Sequence, residues 1–240
     1  MRAPEEPLRE PVLLLTSTIL PGNTPYLQLC DPRERLLEYI MSLLLWIETS
    51  TVRTLLFCDN SGRAFDLSSL ELLAEANDKV LRVFQLSEDR DGDRGKGHGE
   101  SKALAEAICE GHLVDGSSAF FKVSGRLFVS NFEEVERAHH DLPVVFGQLP
   151  WHLDTRFWKA TPQFYKEHLA SVYHEVNDLD GVYIEHVYAR RMQTQSVADF
   201  LVTPRFVGRS GTNLSGYDAW FSDDVRDHAE TLCSEVWRTS

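Results

Sequence analysis

Residues 119–131, AFFKVSGRLFVSN, place polar side chains inside an apolar segment. The polar residues are Lys122, Ser124, Gly125 and Arg126. Arginine can bind diphosphate oxygens with two parallel hydrogen bonds, and lysine supplies a compact positive charge. Because successive side chains of a strand alternate between its faces, a regular strand would direct Lys122 and Arg126 to the same face. The segment therefore predicts contacts to a phosphate-bearing ligand. The alternative is ion pairing with acids such as Glu133 or Glu134.

Three more groups of polar residues follow apolar segments or precede a helical one. They are Thr16 with Ser17, Asp59 with Asn60, and the loop residues Gly95, Lys96, Gly97 and His98. Asp59 could bind a base or a ribose, or it could form a turn with Asn60. Glycines before a helix leave backbone N–H groups exposed, which favours an anion there. A flexible surface loop is the alternative for this glycine-rich stretch.

The elements that would position these groups alternate in type. Apolar segments predict strands at 12–20, 53–59, 79–86 and 119–131, and periodicity predicts helices at 33–48, 67–76 and 101–109. This order predicts an α/β fold with a parallel sheet and helices on both of its faces. In such a sheet the strand ends meet at one crevice. After residue 140 we expect a strand at 144–149, an aromatic-rich loop, an amphipathic helix near 163–176, the segment 181–192 and a Gly/Ser-rich tail.

Composition limits the class of protein. The chain has 240 residues, 42% hydrophobic and 25% charged, which suits a globular protein with a sizeable core. Its net charge of −13 argues against a nucleic-acid binder. The four cysteines form no CxxC pair, which is typical of reduced thiols. The first residues lack the features of a signal peptide, and the longest apolar stretch is too short to span a bilayer. We therefore expect a cytoplasmic location.

This order resembles the GT-A fold of nucleotide-sugar glycosyltransferases. KGHGESKALAEA, at 96–107, is similar to the N-x-G-x-x-x-A-x-N helix start that lies against the donor in that family. IEH, at 184–186, is similar to the E-D pair that begins a helix in inverting members. KVSGR, at 122–126, stands where the family carries a metal-binding DxD. The resemblance implies a GT-A-like, mostly parallel sheet and one domain over 1–240, with a donor half at 10–135 and an acceptor half at 140–240.

The resemblance also implies a reaction and its residues. A sugar would pass from a nucleotide-sugar donor, with UDP favoured, to a hydroxyl acceptor, by an inverting reaction in polysaccharide or glycoconjugate synthesis. Glu185 would be the base, with Asp154 as the next candidate. The expected donor contacts are Thr16, Ser17, Asp59, Asn60, Gly95, Lys96, Gly97, His98, Lys122, Ser124, Gly125, Arg126, Arg209 and Ser210. The expected acceptor contacts are Trp151, Arg156, Trp158 and His186.

Several of these assignments have structural alternatives. Glu185 could be a surface acid of an amphipathic helix, His186 a structural histidine or a phosphate or metal ligand, and Trp158 a core residue. The loop at 206–212 could be a plain turn. The missing DxD suggests that cations replace a divalent metal, so we assign no metal ligands and expect either little or no metal dependence or a metal held in an unusual way. Asp89, Asp91 and Asp93 have D-x-D-x-D spacing, but we interpret them as solvated charges.

Two other function classes compete with glycosyl transfer. A sugar nucleotidyltransferase usually has a Gly-rich loop with Arg or Lys after its first strand, whereas the loop here contains only Gly22. A non-catalytic nucleotide-sugar-binding protein would be favoured if Glu185 faced away from the crevice. The expected partners are a nucleotide sugar and a glycan or other hydroxyl acceptor, with no nucleic acid. Peripheral contact with a membrane stays open.

Overall fold

The computed structural model describes residues 10–21, 27–87 and 94–239. Its central sheet contains β1 (Val12–Ser17), β2 (Thr54–Gly62), β3 (Val80–Ser87), β4 (Phe120–Ser124), β6 (Val144–Leu149) and β7 (His152–Ala160). The strand order is β3-β2-β1-β4-β7-β6. The first four strands in this order are mutually parallel, and β7 is antiparallel to both of its neighbours. Five of the six strands therefore run in one direction, and the predicted mostly parallel α/β fold is confirmed.

Helices cover both faces of this sheet. The first face packs against α1 (Pro32–Thr49), α2 (Ser68–Ala76), α4 (Phe132–His139) and α7 (Asp223–Thr239). The second face packs against α3 (Lys96–Ala105), α5 (Pro162–His168) and α6 (Ile184–Met192). In β1, Leu13 and Leu15 belong to the first core and Leu14 to the second. Burial on both faces explains why this strand is continuously apolar in sequence.

Segment 119–131 is two strands instead of one. β4 ends at Ser124, a tight turn follows, and β5 (Phe128–Val129) pairs with β8 (Phe206–Val207) in a separate two-stranded sheet. Gly125 donates to the carbonyl of Thr16 at 2.8 Å, and a Cβ at this position would lie 2.7 Å from the same oxygen. Glycine therefore allows the chain to turn closely over the end of β1. The polar residues lie at a strand end and not inside a strand.

Two expectations for the second half are wrong. The stretch predicted as an aromatic loop is strand β7, which lies between β4 and β6 in the sheet. The end of the predicted Gly/Ser-rich tail is the 17-residue helix α7, which packs on α1. Helix α3 begins five residues earlier than expected and continues as a π-helical turn, Glu106–Glu110. Helix α5 ends at His168, and a separate 3₁₀ turn follows at Val172–His174.

Two further observations concern the described ranges. None of their helices is long and apolar enough to cross a membrane. The acidic run containing Asp89, Asp91 and Asp93 lies outside the described residues.

Candidate functional site

A cavity of about 210 Å³ opens at the carboxyl ends of β1 and β4. This is the point where the strand order reverses, because β2 and β3 continue from β1 to one side and β4 pairs with β1 on the other. Ligands of open α/β sheets bind at such switch points. The predicted site residues that line the cavity are Thr16, Ser17, Asn60, Lys96, Ser124, Gly125, Arg126, Arg156, Glu185, Arg209 and Ser210. The structure thus brings together groups from both halves of the chain.

Basic side chains outnumber acidic ones in this cavity. Among the described lining residues, the basic ones are Arg35, Lys96, Arg126, Arg156 and Arg209, and the acidic ones are Glu100 and Glu185. The whole chain carries a net charge of −13, so this local excess of cations is opposite to the overall charge. A cleft lined by one sign of charge concentrates ligands of the opposite sign. The cavity therefore suits an anionic ligand.

Arg126 and Arg209 are held in place by a shared carboxylate. Arg126 Nη1 donates to Glu38 Oε2 at 2.8 Å, and Arg209 Nε donates to Glu38 Oε1 at 2.6 Å. Glu38 lies on α1 and is buried. Pairing of β5 with β8 brings the segment after β8 over the turn that follows β4. Two arginines distant in sequence consequently converge on one wall of the cavity.

Arg35 contributes a cation that sequence analysis did not identify. Its guanidinium donates to the carbonyls of Thr18 and Leu29, at 2.6 and 3.0 Å, and to the hydroxyl of Tyr39 at 3.0 Å. Each acceptor in these bonds is uncharged, and Arg35 is 4% exposed. Its position at the start of α1, two residues after Arg33, gave no signal in the sequence. Only the fold shows that it faces the ends of the strands.

Lys122 lies beneath the cavity and does not line it. Its ammonium is fully buried, pairs with Glu100 and donates to the carbonyl of Thr155 at 2.6 Å. Burial alone would raise the pKa of the Glu100 carboxyl, but Lys122 and Lys96 outweigh this effect and hold that pKa below its ordinary value. The expected direct contact between Lys122 and a diphosphate is therefore corrected. Lys122 fixes Glu100, and Glu100 is the residue that reaches the cavity.

The amino-terminal end of α3 is occupied by Asp178. Its Oδ2 accepts a hydrogen bond of 2.7 Å from the backbone N–H of Gly97. Gly95 has a φ of +98°, and a Cβ there would lie 2.5 Å from the Cβ of Asp178. A Cβ on Gly97 would lie 2.8 Å from Asp178 Oδ1. The glycines thus admit a carboxylate of the chain itself, which corrects the expectation that this loop holds a ligand phosphate.

Glu185 faces the cavity from the first turn of α6. The hydroxyl of Thr155, on β7, donates to Glu185 Oε1 at 3.0 Å. Thr155 bonds to only one of the two carboxylate oxygens, and Oε2 takes no part in this hydrogen bond. A carboxylate in the first turn of a helix interacts favourably with the helix dipole. The sequence prediction that Glu185 lies at a helix start agrees with the structure, and its chemical role stays a prediction.

Asp154 is engaged by Arg156 and does not line the cavity. Its two oxygens accept from Arg156 Nε and Nη2 at 2.6–3.0 Å. The same guanidinium lies 4.8 Å from the ring centres of Phe206 and Tyr217. These contacts orient Arg156 toward the cavity, so Asp154 positions a cation.

The remaining predicted residues lie away from the lining. Asp59 is buried and accepts from Ser17 Oγ, Ile19 N and Ser61 N at 2.7–3.0 Å, so it organises the strand ends. Trp158 packs in the second core, and His98 is buried beside Tyr173. Trp151 is 87% exposed at the turn between β6 and β7. His186 is exposed on α6, with its ring 5.9 Å from that of His152.

These positions correct four expected ligand contacts. Asp59, His98 and Trp158 are enclosed by protein, because their side chains satisfy packing or turn hydrogen bonds inside the fold. Lys122 is enclosed for the same reason. Trp151 and His186 remain accessible, so their expected acceptor contacts stay predictions. No group of three or more His, Cys, Asp or Glu side chains that could hold a metal ion is present within 10–21, 27–87 and 94–239.

Comparisons with known proteins support the fold. No family model and no curated protein matches the chain. Among solved structures, it is similar to the glycosyltransferase GlyE of Streptococcus pneumoniae TIGR4, with 8% identity and a TM-score of 0.50 over 80% of this chain and 45% of that one. It is also similar to an active-site mutant of LgtC, with 8% identity and a TM-score of 0.50 over 78% and 72% of the two chains.

A third similar structure is a protein of Desulfovibrio desulfuricans G20 assigned to the nucleotide-diphospho-sugar transferases, with 13% identity, a TM-score of 0.48 and 80% of each chain covered. The chain spans less than half the length of GlyE. At these identities the likeness shows the fold alone. The likeness to GlyE and to LgtC, each with a TM-score of 0.50, shows that the described residues adopt the fold of a known glycosyltransferase.

Proposed function

We propose that this chain is a glycosyltransferase that moves a sugar from a nucleotide-sugar donor to a hydroxyl acceptor with inversion, in the synthesis of a polysaccharide or other glycoconjugate. One observation carries the proposal. Five basic side chains and the Glu185 carboxylate line the same cavity at the switch point of the sheet. The cations suit a diphosphate, and the carboxylate suits an acceptor that must lose a proton.

The donor diphosphate would lie against Arg126 and Arg209. Their shared bond to Glu38 fixes both guanidinium groups before a ligand arrives, which reduces the entropy lost on binding. Lys96, at the first turn of α3, adds a further positive charge to the lining of the same cavity. Thr18 and Asn60 hydrogen-bond to each other at 2.5 Å near the end of β1, where the nucleoside would lie. UDP is the first nucleotide to test.

Glu185 would act as the general base. In the proposed step the acceptor oxygen forms a bond to the anomeric carbon, its proton passes to Glu185, and the bond between that carbon and the diphosphate oxygen breaks. The leaving nucleoside diphosphate carries the negative charge. Preorganised cations at the place where charge develops lower the barrier of such a step. Arg126, Arg209 and Lys96 are the described groups in position to do this.

The proposal includes no divalent metal. The residues at the end of β4 are Ser124, Gly125 and Arg126, which place a guanidinium where the resembling family has carboxylates. A guanidinium beside the diphosphate would supply the positive charge that a metal ion supplies in proteins with the DxD motif. In this proposal 10–135 form the donor half of one domain. The other half contributes the acceptor side and, through Arg209 and Ser210, part of the donor cavity.

The position of Glu185 favours an enzyme over a non-catalytic binding protein. A protein that only binds a nucleotide sugar has no need of a carboxylate at the reacting centre. Glu185 lines the cavity, and Thr155 holds it there.

A screen of nucleotides and nucleotide sugars tests the proposal. Purified protein would be heated with UDP, GDP or CMP and with their sugar conjugates, since a ligand that binds the native state raises the melting temperature. The best donor would then be incubated without an acceptor, so that slow transfer to water releases a nucleoside diphosphate. In a separate incubation with a nucleoside triphosphate and a sugar 1-phosphate, formation of a nucleotide sugar with release of pyrophosphate would indicate a nucleotidyltransferase instead. If none of the nucleotides raises the melting temperature, the proposed function is wrong.

A further inference from the structure

A second cavity, of about 170 Å³, continues from the first toward α6. The two cavities share Lys96, Glu100, Glu185 and Thr212 in their linings. Because Glu185 belongs to both, the boundary between the cavities is where the proposed transfer takes place. A donor whose diphosphate lies in the first cavity would extend its sugar into the second.

The two cavities differ in charge. Among its described lining residues, the second cavity has three carboxylates, Glu100, Asp178 and Glu185, and one cation, Lys96. The arginines of the first cavity are absent from this part of the described lining. The two cavities adjoin at their four shared lining residues, so a ligand that reached from one into the other would have its diphosphate in a basic lining and its sugar in an acidic one.

Asp178 is the carboxylate that belongs to the second cavity alone. Its side chain is half-buried and is fixed by the backbone N–H of Gly97 at 2.7 Å. Gly95 and Gly97 lack a Cβ at the two positions where one would collide with this side chain. Its place is thus set by the backbone of α3, and it cannot turn away from the cavity without losing that hydrogen bond.

We propose that the second cavity receives the sugar of the donor and selects a neutral sugar over one that carries a carboxylate, with Asp178 as the specificity-determining residue. This inference rests on the proposed function. Hydroxyl groups of a neutral sugar can donate to the carboxylate oxygens of the lining. A uronic or sialic acid would instead bring a like charge close to Asp178 and Glu185, which is unfavourable in a partly desolvated site.

Matched donors test this inference. UDP-glucose and UDP-glucuronic acid differ only in a CH₂OH that becomes a carboxylate, and GDP-mannose and GDP-mannuronic acid form a second matched pair. Calorimetry on the full chain would give the dissociation constants of both pairs and of UDP and GDP alone. We expect the neutral donor to bind at least about tenfold more tightly than its acidic counterpart, since placing like charges together disfavours the acidic donor.

Two variants assign the effect to one residue. Asp178→Asn removes the charge but keeps an oxygen for the Gly97 N–H, and it should reduce the preference for the neutral donor at least about threefold while UDP or GDP binds as before. Asp180→Asn makes the same charge change two residues away, at an exposed side chain outside the second cavity, and it should leave the preference unchanged.

The outcomes separate this inference from the proposed function. If a nucleoside diphosphate binds but the acidic donor binds as tightly as the neutral one, the inference is wrong and the proposed function stands. An Asp178→Asn variant that keeps the full preference also overturns the assignment to Asp178. If neither UDP, GDP nor any of the four donors binds, the inference is wrong, and the proposed function fails as well when CMP and its sugar conjugates also leave the melting temperature unchanged.

Discussion

Arg126 donates a hydrogen bond of 2.8 Å to Glu38, and both side chains are buried beside the switch point of the sheet. Glu38 also accepts from Arg209, so one carboxylate orients two guanidinium groups. Arg126, which follows β4, lies 88 residues from Glu38 in sequence, and Arg209, which follows β8, lies 171 residues from it. Both arginines are therefore joined to α1 by contacts that are distant in sequence. The two hydrogen bonds set the orientation of both arginines that line the first cavity.

We expect Arg126→Ala to weaken nucleotide binding by about 1.5–3 kcal/mol, the range for a hydrogen bond to a charged group. Calorimetry with UDP, GDP and CMP on folded protein measures the change. Arg205→Ala provides a control, because Arg205 pairs with Glu134 at an exposed site. Unchanged affinity for all three nucleotides in Arg126→Ala would show that the diphosphate lies elsewhere.

The buried pair of Lys122 and Glu100 should stabilise the fold only as a pair. Glu100→Gln leaves the ammonium of Lys122 buried without its counter-charge, which typically costs about 3–5 kcal/mol. The double variant Glu100→Gln with Lys122→Met removes both charges and should recover most of this loss. Chemical denaturation of the wild type, the two single variants and the double variant gives the coupling free energy.

The pair of Lys122 and Glu100 should also make the free energy of unfolding depend on pH. The pKa of Glu100 is lowered in the folded protein, so its contribution to the free energy of unfolding is present above the pKa of the unfolded chain and is lost as the pH falls through the folded value. The destabilisation by Glu100→Gln should therefore be larger at pH 7 than near pH 3. An equal loss at both values would mean that packing, and not charge, is the cause.

The pH dependence of stability that Asp178 contributes should have the opposite sign to that of Glu100. Burial raises the pKa of its carboxyl, and the nearby Glu185 acts in the same direction, although the Gly97 N–H opposes them. A raised pKa means that the folded protein holds this proton more strongly than the unfolded chain, so ionisation costs stability as the pH rises through the folded value. Asp178→Asn should thus gain stability relative to wild type between acidic and neutral pH. Denaturation curves of the wild type and of Asp178→Asn across that pH range test this prediction. A difference in stability between the two proteins that does not change with pH would contradict it.

Much of the fold could be predicted from sequence because buried strands and amphipathic helices repeat simple patterns. β1 follows from a continuous apolar run and α1 from helical periodicity. β7 could not be recognised in the same way. Its charged residues, Asp154, Arg156 and Lys159, interrupt the apolar pattern, and each finds a partner only in the folded chain.

The site was predictable only in part, for a related reason. Gly125 and Arg126 follow a strand, so their type and place gave a signal. Asp178 and Arg35 gave none, because their importance depends on tertiary contacts with Gly97 and Thr18. The sequence shows Gly95 and Gly97 at the start of α3, but it does not show which group approaches them. They make room for a carboxylate of the chain and not for a ligand phosphate.

Catalysis should need little or no divalent metal, because Arg126 stands where the resembling family has carboxylates. Donor turnover measured with EDTA should match turnover with added manganese to within about twofold, which is a small effect beside the 10²–10⁴-fold of a lost catalytic group. An activity that disappears in EDTA and returns with manganese would contradict this. It would direct attention to Asp89, Asp91 and Asp93 and to His186.

Replacing Glu185 by Gln tests the general base directly. The substitution keeps the size of the side chain and an oxygen for the Thr155 hydroxyl, but it removes the proton acceptor. General base catalysis contributes about 10²–10⁴-fold, so turnover should fall by that order while the dissociation constant of the donor barely changes. Asp154→Asn serves as a comparison, because Asp154 is bound to Arg156 and not directed into the cavity.

NMR of the product gives its anomeric configuration and tests inversion separately. If Glu185→Gln keeps near-full turnover with a confirmed donor and acceptor, Glu185 is not the general base and another group takes the proton.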